Sequence, residues 1–315
     1  MVARRCWRRA LRRSVLRGVV VFYASLVVRG KLWDGRSVPR SAGRYGPADG
    51  ECLSLVVLGD SSALAVGVLK HDETNGARLA RDVVASLGCA VELEVLARSG
   101  VTTAGMARQV NAVAMRTDRG VALILIGGND VMLPSPVGRS ARRLGRYVRQ
   151  LRAAGWEVVI GSCADIGAAP SLRRGVRDVA SRRSQTLARR QAARSLAAGA
   201  MVVSLTTDVF RRQPDLLYCP DGFHPNADGY LYYETRAAVA VKAASARVLG
   251  RLETPAERAD VVFPQTRQAA RRVTSEPGAS FIPVPAAGGM VAMHRYVPGQ
   301  RLAVSRNSAM VSTAS

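Results

Sequence analysis

The sequence has few of the residues that build metal sites and disulfide scaffolds. Its five cysteines are scattered over 315 residues, none of them in a Cys-x-x-Cys pair, and there are only three histidines. Zinc sites and small disulfide-rich domains place these residues at short, regular spacings, so neither class of protein fits. Aromatic residues make up 5% of the chain against 48% for all apolar residues. This balance favours a protein of helices and sheets with a sizeable core and small side chains at its packing contacts.

Three motifs that would classify an α/β protein directly are also missing. The Gly-x-Ser-x-Gly turn that carries the nucleophile of α/β-hydrolases does not occur. The chain has neither a phosphate-binding loop nor a dinucleotide-binding fingerprint. An α/β-hydrolase is therefore excluded, and nothing indicates a nucleotide-binding protein.

Acidic residues are scarce beside basic ones, with 23 Asp and Glu against 46 Lys and Arg, for a formal net charge of +23. Much of the excess lies at the two ends. Residues 1–50 hold twelve basic and two acidic residues, and residues 251–315 hold eight and four. Because no recognised nucleic-acid-binding motif accompanies the charge, we do not expect nucleic acid to be the main partner.

The N-terminal segment combines arginines with apolar residues at helical spacing. Six arginines at positions 4–13 fall on one face, opposite Trp7, Leu11 and Val15. Such a helix is typical of segments that lie on an anionic membrane surface, which predicts this partner for residues 4–28. The chain is then cytoplasmic and membrane-associated. An export signal and a plain soluble terminus stay open as alternatives, although no small-x-small cleavage site follows closely.

Short apolar runs alternate with segments of helix length. The runs are residues 53–58, 91–96, 121–126, 158–160 and 201–205, and the helical segments are residues 74–88, 103–117, 137–154, 171–198 and 227–249. This alternation predicts a doubly wound α/β domain at residues 51–250, with five parallel strands covered on both faces. We expect residues 1–50 to be a basic segment followed by a linker. Residues 251–315, which have no periodicity, are expected to form a dispensable disordered tail.

Polar motifs follow the first three predicted strands, at the edge of the sheet where α/β proteins bind ligands. The first strand runs into Gly-Asp-Ser, and a tight turn there would expose Ser61 at the start of a helix. The third runs into Gly-Gly-Asn-Asp, in which Asn129 offers an amide donor. After the second strand, the N–H of Gly100 could face the same cleft. Taken singly, Ser61 fits a helix cap and Gly-Asn-Asp a turn.

Asp221 and His224 stand three residues apart near the end of the predicted domain. A short loop or one helical turn brings two such side chains within mutual reach. Asp221 can then accept from one ring nitrogen of His224 and leave the other nitrogen free to take a proton from Ser61. An isolated histidine is more often structural, so the prediction depends on all four motifs occurring together.

In their order along the chain, these motifs resemble those of the SGNH (GDSL) hydrolase superfamily. The resemblance implies a flavodoxin-like three-layer fold with Ser61 as the nucleophile, His224 as the base and Asp221 as its orienting partner. It also implies an oxyanion hole built from the N–H groups of Ser61 and Gly100 and the side-chain amide of Asn129. The superfamily uses no cofactor and no metal.

The resemblance covers residues 51–249 and departs from the family pattern at Ala65, where many relatives have glycine. It predicts a serine esterase that cleaves a small-molecule or lipid ester, or a thioester, through an acyl-enzyme. Five arginines of the segment 171–198 would meet an acidic substrate or lipid headgroup, or form only a solvated helix face: Arg173, Arg174, Arg177, Arg182 and Arg183. Two other functions stay open: an acyltransferase using the same residues, and a non-catalytic membrane-surface or nucleic-acid-binding protein that retains the fold.

Overall fold

A nine-stranded mixed sheet organises the part of the chain that the computed structural model describes, namely residues 28, 32–33, 38–133, 135–251, 259–284 and 289–298. Its strands are β1 (Gly43–Tyr45), β2 (Cys52–Gly59), β3 (Ala90–Val95), β4 (Gly120–Leu125), β5 (Glu157–Gly161), β6 (Met201–Val203), β7 (Val261–Phe263), β8 (Ser280–Pro283) and β9 (Val291–His294). They lie side by side in the order β1-β3-β2-β4-β5-β6-β8-β9-β7.

Ten α-helices accompany the sheet within the described residues. They are α1 (Ser61–Leu64), α2 (Asn75–Leu87), α3 (Ala107–Ala114), α4 (Gly128–Met132), α5 (Val137–Ala153), α6 (Arg174–Leu196), α7 (Val209–Arg212), α8 (Pro214–Leu217), α9 (Ala227–Val248) and α10 (Thr266–Arg272). Local sequence sets their ends. For example, the Thr74 hydroxyl caps α2 by accepting from the Ala77 N–H, and Gly88 ends that helix in the left-handed conformation.

All five strands predicted from the sequence are present and pair in parallel, in the order β3-β2-β4-β5-β6. This is the strand order of flavodoxin-like sheets. Most strand ends differ from the prediction by one residue, and β6 stops at Val203 rather than at residue 205. The predicted doubly wound α/β architecture is confirmed, but the sheet is larger and mixed, because four antiparallel strands extend its two edges.

Alternating strand residues separate two hydrophobic cores, one on each face of the sheet. In β2, Val56 and Leu58 belong to the core covered by α3, α5, α6 and α10, whereas Leu55 and Val57 belong to the core covered by α2 and α9. Side chains of successive residues point to opposite faces of a strand, so a continuous apolar run fills both cores at once. The result is the three-layer arrangement that the resemblance implies.

The C-terminal residues extend the sheet. β8 pairs antiparallel with β6, and β9 and β7 follow it. Phe281 (0% exposed) belongs to one core and Ile282 (2% exposed) to the other. The predicted disorder of residues 251–315 is therefore wrong for residues 259–284 and 289–298. These strands are too short to show a period, and without β8 the apolar strand β6 would be an open edge.

Part of the predicted N-terminal linker is also structured. β1 pairs antiparallel with β3, and Tyr45 packs against the core under α2 and α9. Farther upstream, Val28 is 5% exposed and forms a β-bridge with Leu172. The linker prediction is wrong at β1. The basic helix predicted at residues 4–28 lies, except for Val28, outside the described residues. In the described part of the chain, no helix has both the length and the apolar composition to cross a membrane.

If the C-terminal strands contribute to the core, Phe281→Ala should lower the free energy of unfolding by about 3–5 kcal/mol, the usual cost of emptying a buried phenylalanine site. The matched control is Val262→Ala on β7, where the side chain is 37% exposed and the loss should stay below about 1 kcal/mol. Urea denaturation followed by circular dichroism measures both. Equal, small losses would show that these strands do not support the domain.

Candidate active site

Three of the residues predicted from the motifs line one cavity at the carboxyl ends of the parallel strands. Ser61, Asn129 and His224 all border this cavity, whose volume is about 100 Å³. Much of the remaining lining is apolar and comes from the strand ends and the loops beyond them, including Ile126, Leu125, Ile166, Leu205, Phe210 and Phe223. The cavity thus lies at the edge where α/β sheets bind ligands.

The turn after β2 depends on a glycine. Gly59 has a φ of +141°, and a Cβ at this position would lie 1.9 Å from the carbonyl oxygen of Leu125. Only glycine permits this close approach, after which the chain enters α1 with Ser61 as its first residue. Asp60 is the N-cap, and its Oδ1 accepts from the Ser62 N–H at 2.9 Å. The alternative that Ser61 serves as the helix cap is therefore wrong.

Ala65, the departure from the family pattern, adopts the conformation that glycine favours. Its φ and ψ are 61° and 44°, it ends α1, and it is 0% exposed. Among the described residues it is the only non-glycine residue with a positive φ. The left-handed conformation costs an L-residue roughly 1–2 kcal/mol. Ala65 thus adopts a glycine-like conformation behind Ser61, at some cost in strain.

Asp221 and His224 form a close, buried pair. The Nδ1 of His224 lies 2.6 Å from Oδ2 of Asp221, and the two side chains are 6% and 0% exposed. Burial by itself raises the pKa of Asp221, but hydrogen bonds from His224 and from the main-chain N–H of Trp33 outweigh it and hold this pKa below its usual value. The carboxylate therefore stays ionised. With Nδ1 donating to it, Nε2 of His224 is left as an acceptor.

Ser61 and His224 line the same cavity but do not contact each other through a hydrogen bond. No hydrogen bond joins them among the described residues, although both are almost buried, with exposures of 8% and 5%. Hydrogen bonds between such pairs are often loose before substrate binds. The arrangement can therefore support proton transfer from a serine hydroxyl to the free ring nitrogen.

Asn129 lies on α4, and its Nδ2 donates to the carbonyl oxygen of Val101 at 3.0 Å. An amide nitrogen carries two hydrogens, so one stays available to the cavity. Gly100 directly precedes Val101, has a φ of +76° and is exposed. It is not among the described residues that line the cavity. The structure thus brings Asn129 to the site and places Gly100 next to the carbonyl that holds it.

Two buried glutamines, which the sequence analysis missed, fix the strand ends beneath the site. Gln109 bonds both main-chain groups of Gly59, accepting from its N–H at 2.8 Å and donating to its carbonyl at 3.0 Å. Gln191 accepts from the Cys163 N–H at 2.8 Å and donates to the Ile126 carbonyl at 2.9 Å. The only feature of the sequence that could have identified these glutamines is a polar residue on the apolar face of a helix.

Two arginines of α6 make contacts that the sequence analysis did not consider. Arg183 donates to the carbonyl oxygens of Asp130, Val131, Leu133 and Ser135, the segment that follows Asn129. Arg177 donates to the carbonyls of Pro170 and Leu172. Both guanidinium groups thus hold main chain near the cavity. Neither the acidic-substrate nor the solvent interpretation describes them.

Two buried aspartates support the turns that carry Ser61 and Asn129. Asp130 accepts from the N–H and hydroxyl of Thr103 and from the Ser140 hydroxyl. Asp60 is 1% exposed, and besides capping α1 it accepts a long bond, 3.4 Å, from the Gly127 N–H. Burial raises the pKa of Asp60 to about 6. Among the described residues, no group of three or more His, Cys, Asp and Glu could hold a metal ion.

Comparison with known proteins places the chain among ester hydrolases. The sequence model of the GDSL-like Lipase/Acylhydrolase family matches residues 57–232. A GDSL-like esterase of Mycobacterium tuberculosis is 32% identical over 230 residues, which are 72% of this chain and 70% of that protein. The matched region of the family model includes Ser61, Gly100, Asn129, Asp221 and His224.

Two solved structures are also similar. The psychrotrophic esterase EstA from Pseudoalteromonas sp. has a TM-score of 0.47 at 20% identity, over 60% of this chain and 96% of its own. A member of the lipolytic G-D-S-L family from Veillonella parvula has a TM-score of 0.45 at 19% identity, over 64% of this chain and 100% of its own.

The buried charge of Asp60 predicts a pH-dependent stability. In the folded state the pKa of Asp60, about 6, exceeds the ordinary value of 3.8, so the folded protein holds this proton more tightly than the unfolded chain. The stabilisation that comes from protonating Asp60 is lost as the pH rises through 6. Asp60→Asn removes the effect. The free energy of unfolding of Asp60→Asn minus that of wild type should therefore rise by about 1–2 kcal/mol between pH 5 and pH 8.

Urea titrations at both pH values measure this change. The absolute difference also contains the lost acceptor for Gly127, so only the change with pH is diagnostic. Asp49→Asn, at an exposed aspartate, is the control and should show no such change. A constant difference between Asp60→Asn and wild type would mean that the pKa of Asp60 is not raised in the folded state, so that the carboxyl is already ionised at pH 5.

Proposed function

The chain belongs to the GDSL-like lipase/acylhydrolase family and is a hydrolase of ester bonds. From this premise we propose that it is a serine esterase in which Ser61 attacks the ester carbonyl and forms an acyl-enzyme. The observation that carries the proposal is the 2.6 Å contact between His224 Nδ1 and Asp221 Oδ2, on the wall of the cavity that Ser61 also lines. A base oriented in this way is what a weakly acidic serine hydroxyl needs to become a nucleophile.

In the first half of the reaction, His224 takes the Ser61 proton on Nε2 while Ser61 Oγ bonds to the carbonyl carbon. The ionised carboxylate of Asp221 holds the imidazole in the required tautomer and stabilises the imidazolium that forms. The imidazolium then gives its proton to the leaving alcohol oxygen, and the acyl group stays on Ser61. Water attacks this ester with the same base, which releases the acid and restores the serine.

In this proposal, three N–H groups stabilise the negative charge on the carbonyl oxygen. Ser61 opens α1, so its main-chain N–H is one of the helix groups without an intrahelical partner. The second hydrogen of the Asn129 amide is another donor. The family resemblance adds the Gly100 N–H as the third, although Gly100 is not among the described residues that line the cavity. Because the contact with Val101 fixes the Asn129 side chain before substrate arrives, little reorganisation is needed.

The cavity favours a small acyl ester. Its volume of about 100 Å³ and its largely apolar lining suit a short acyl chain held by burial of apolar surface. Acetyl and butyryl esters are therefore the substrates of first choice. A lysophospholipid is the second choice among lipid esters.

Ser61→Ala should abolish the hydrolysis of p-nitrophenyl acetate and butyrate and labelling by a fluorophosphonate probe, because no nucleophile is left. The matched control is Ser62→Ala, at the next residue of the same helix, which should retain most of the activity and the label. Absorbance at the p-nitrophenolate band and in-gel fluorescence measure the two properties. Activity that survives in folded Ser61→Ala would exclude Ser61 as the nucleophile.

Asn129→Ala should lower kcat by roughly 10²–10³-fold and leave KM nearly unchanged, the typical result of removing one oxyanion donor. Asn111→Ala, at an exposed asparagine of α3, is the control and should match wild type. Steady-state kinetics with p-nitrophenyl butyrate separate the two constants. A rise in KM at constant kcat would instead assign Asn129 to substrate binding.

A further inference from the structure

A segment from the N-terminal region reaches the carboxylate behind His224. The main-chain N–H of Trp33 donates to Oδ2 of Asp221 at 3.0 Å, across 188 positions of sequence. The same oxygen accepts from His224 Nδ1 at 2.6 Å. Ser61 and Asn129 take no part in this contact. One carboxylate oxygen therefore joins the proposed base, His224, to a residue that precedes the whole family-matched region.

The two oxygens of Asp221 are held from different directions. Oδ1 accepts from the main-chain N–H groups of Phe223 and His224, at 2.8 and 2.9 Å, and lies 3.1 Å from the Cys219 thiol. These partners belong to the same loop and move with it. For Oδ2, Trp33 is the partner from outside the loop. The Trp33 N–H therefore restrains the orientation of the Asp221 carboxylate relative to the His224 imidazole.

Further contacts hold the segment that carries Trp33. Leu32 packs against the core covered by α3, α5, α6 and α10, and Val28 bridges to Leu172. The neighbouring Ser171 donates its main-chain N–H to the Gly222 carbonyl at 3.0 Å, inside the loop that carries Asp221. The N-terminal segment, the strip around Leu172 and the Asp221 loop therefore contact one another.

We propose that the Trp33 main-chain N–H is a positioning group for the Asp221–His224 pair, so that the N-terminal segment is part of the working esterase site. The proposal rests on the proposed function. The Asp221 side chain is 0% exposed, so water does not readily replace a lost donor. Without the Trp33 N–H, the carboxylate tilts, and the imidazole that it orients loses its alignment towards Ser61.

The test removes the Trp33 N–H. In the full-length chain, Trp33→Pro deletes the donor, and replacing the Leu32–Trp33 amide by an ester deletes it without the steric demands of proline. Trp33→Ala is the matched control, because it loses the indole and keeps the N–H. Circular dichroism and thermal melting establish that each variant is folded.

With p-nitrophenyl butyrate as the substrate, we expect the ester and proline variants to lose about tenfold in kcat at constant KM, the scale of one hydrogen bond to a charged group. Trp33→Ala should keep the kcat of wild type. The low-field proton resonance of His224 Nδ1–H, assigned by its absence in His224→Gln, should shift in the ester and proline variants and stay in place in Trp33→Ala.

Equal kcat and an unmoved resonance in the ester variant would overturn the proposal. An equal loss in Trp33→Ala would overturn it as well, because the side chain would then be responsible. If wild type hydrolyses no ester and does not react with the fluorophosphonate, the proposed function fails instead. In that case the proton resonance still tests whether the Trp33 N–H positions the Asp221–His224 pair, because this measurement requires no turnover.

Discussion

Buried main-chain groups at the ends of the parallel strands must find hydrogen-bond partners after the strands separate, and this requirement shapes the site. Past Gly59 and Ile126, the neighbouring strand no longer supplies every partner. Gln109 takes both main-chain groups of Gly59, and Gln191 takes the Ile126 carbonyl together with the Cys163 N–H. Side chains therefore supply partners for these groups, and the cavity that Ser61, Asn129 and His224 line lies beyond the same strand ends.

The same requirement explains why acidic residues are buried under the site. Asp60 serves two turns at once, since it caps α1 with Oδ1 and accepts from the Gly127 N–H with Oδ2. An asparagine would present a donor to one of these N–H groups, so a carboxylate is the better fit despite the cost of burying it. Asp130 has three donors and anchors α4 to Thr103 and Ser140. Together they connect the turn of Ser61 to that of Asn129.

The sequence predicts the features of this fold that depend on local patterns. β2 and β4 are apolar runs ended by glycine, and Asp221 and His224 are three positions apart, so the parallel strands and the pair could both be anticipated. The contacts of Gln109, Gln191 and Trp33 could not, because each joins positions far apart in the chain and has no spacing that identifies it. The strands after residue 250 were missed for another reason: three or four residues are too few to show alternation.

These contacts, which the sequence did not predict, also show that the site needs residues outside the span of its motifs. The catalytic motifs fall between Ser61 and His224, yet β6 is only three residues long and needs β8 to cover its outer edge and fill both cores. On the other side, the main chain at Trp33 supplies a hydrogen bond to a carboxylate that water does not reach. The site therefore depends on more of the chain than the span of its motifs. Strand pairing and buried hydrogen bonds determine how much more. A hydrolase core cut at its motif boundaries would keep every residue with a proposed chemical role and lose partners of the sheet and of Asp221.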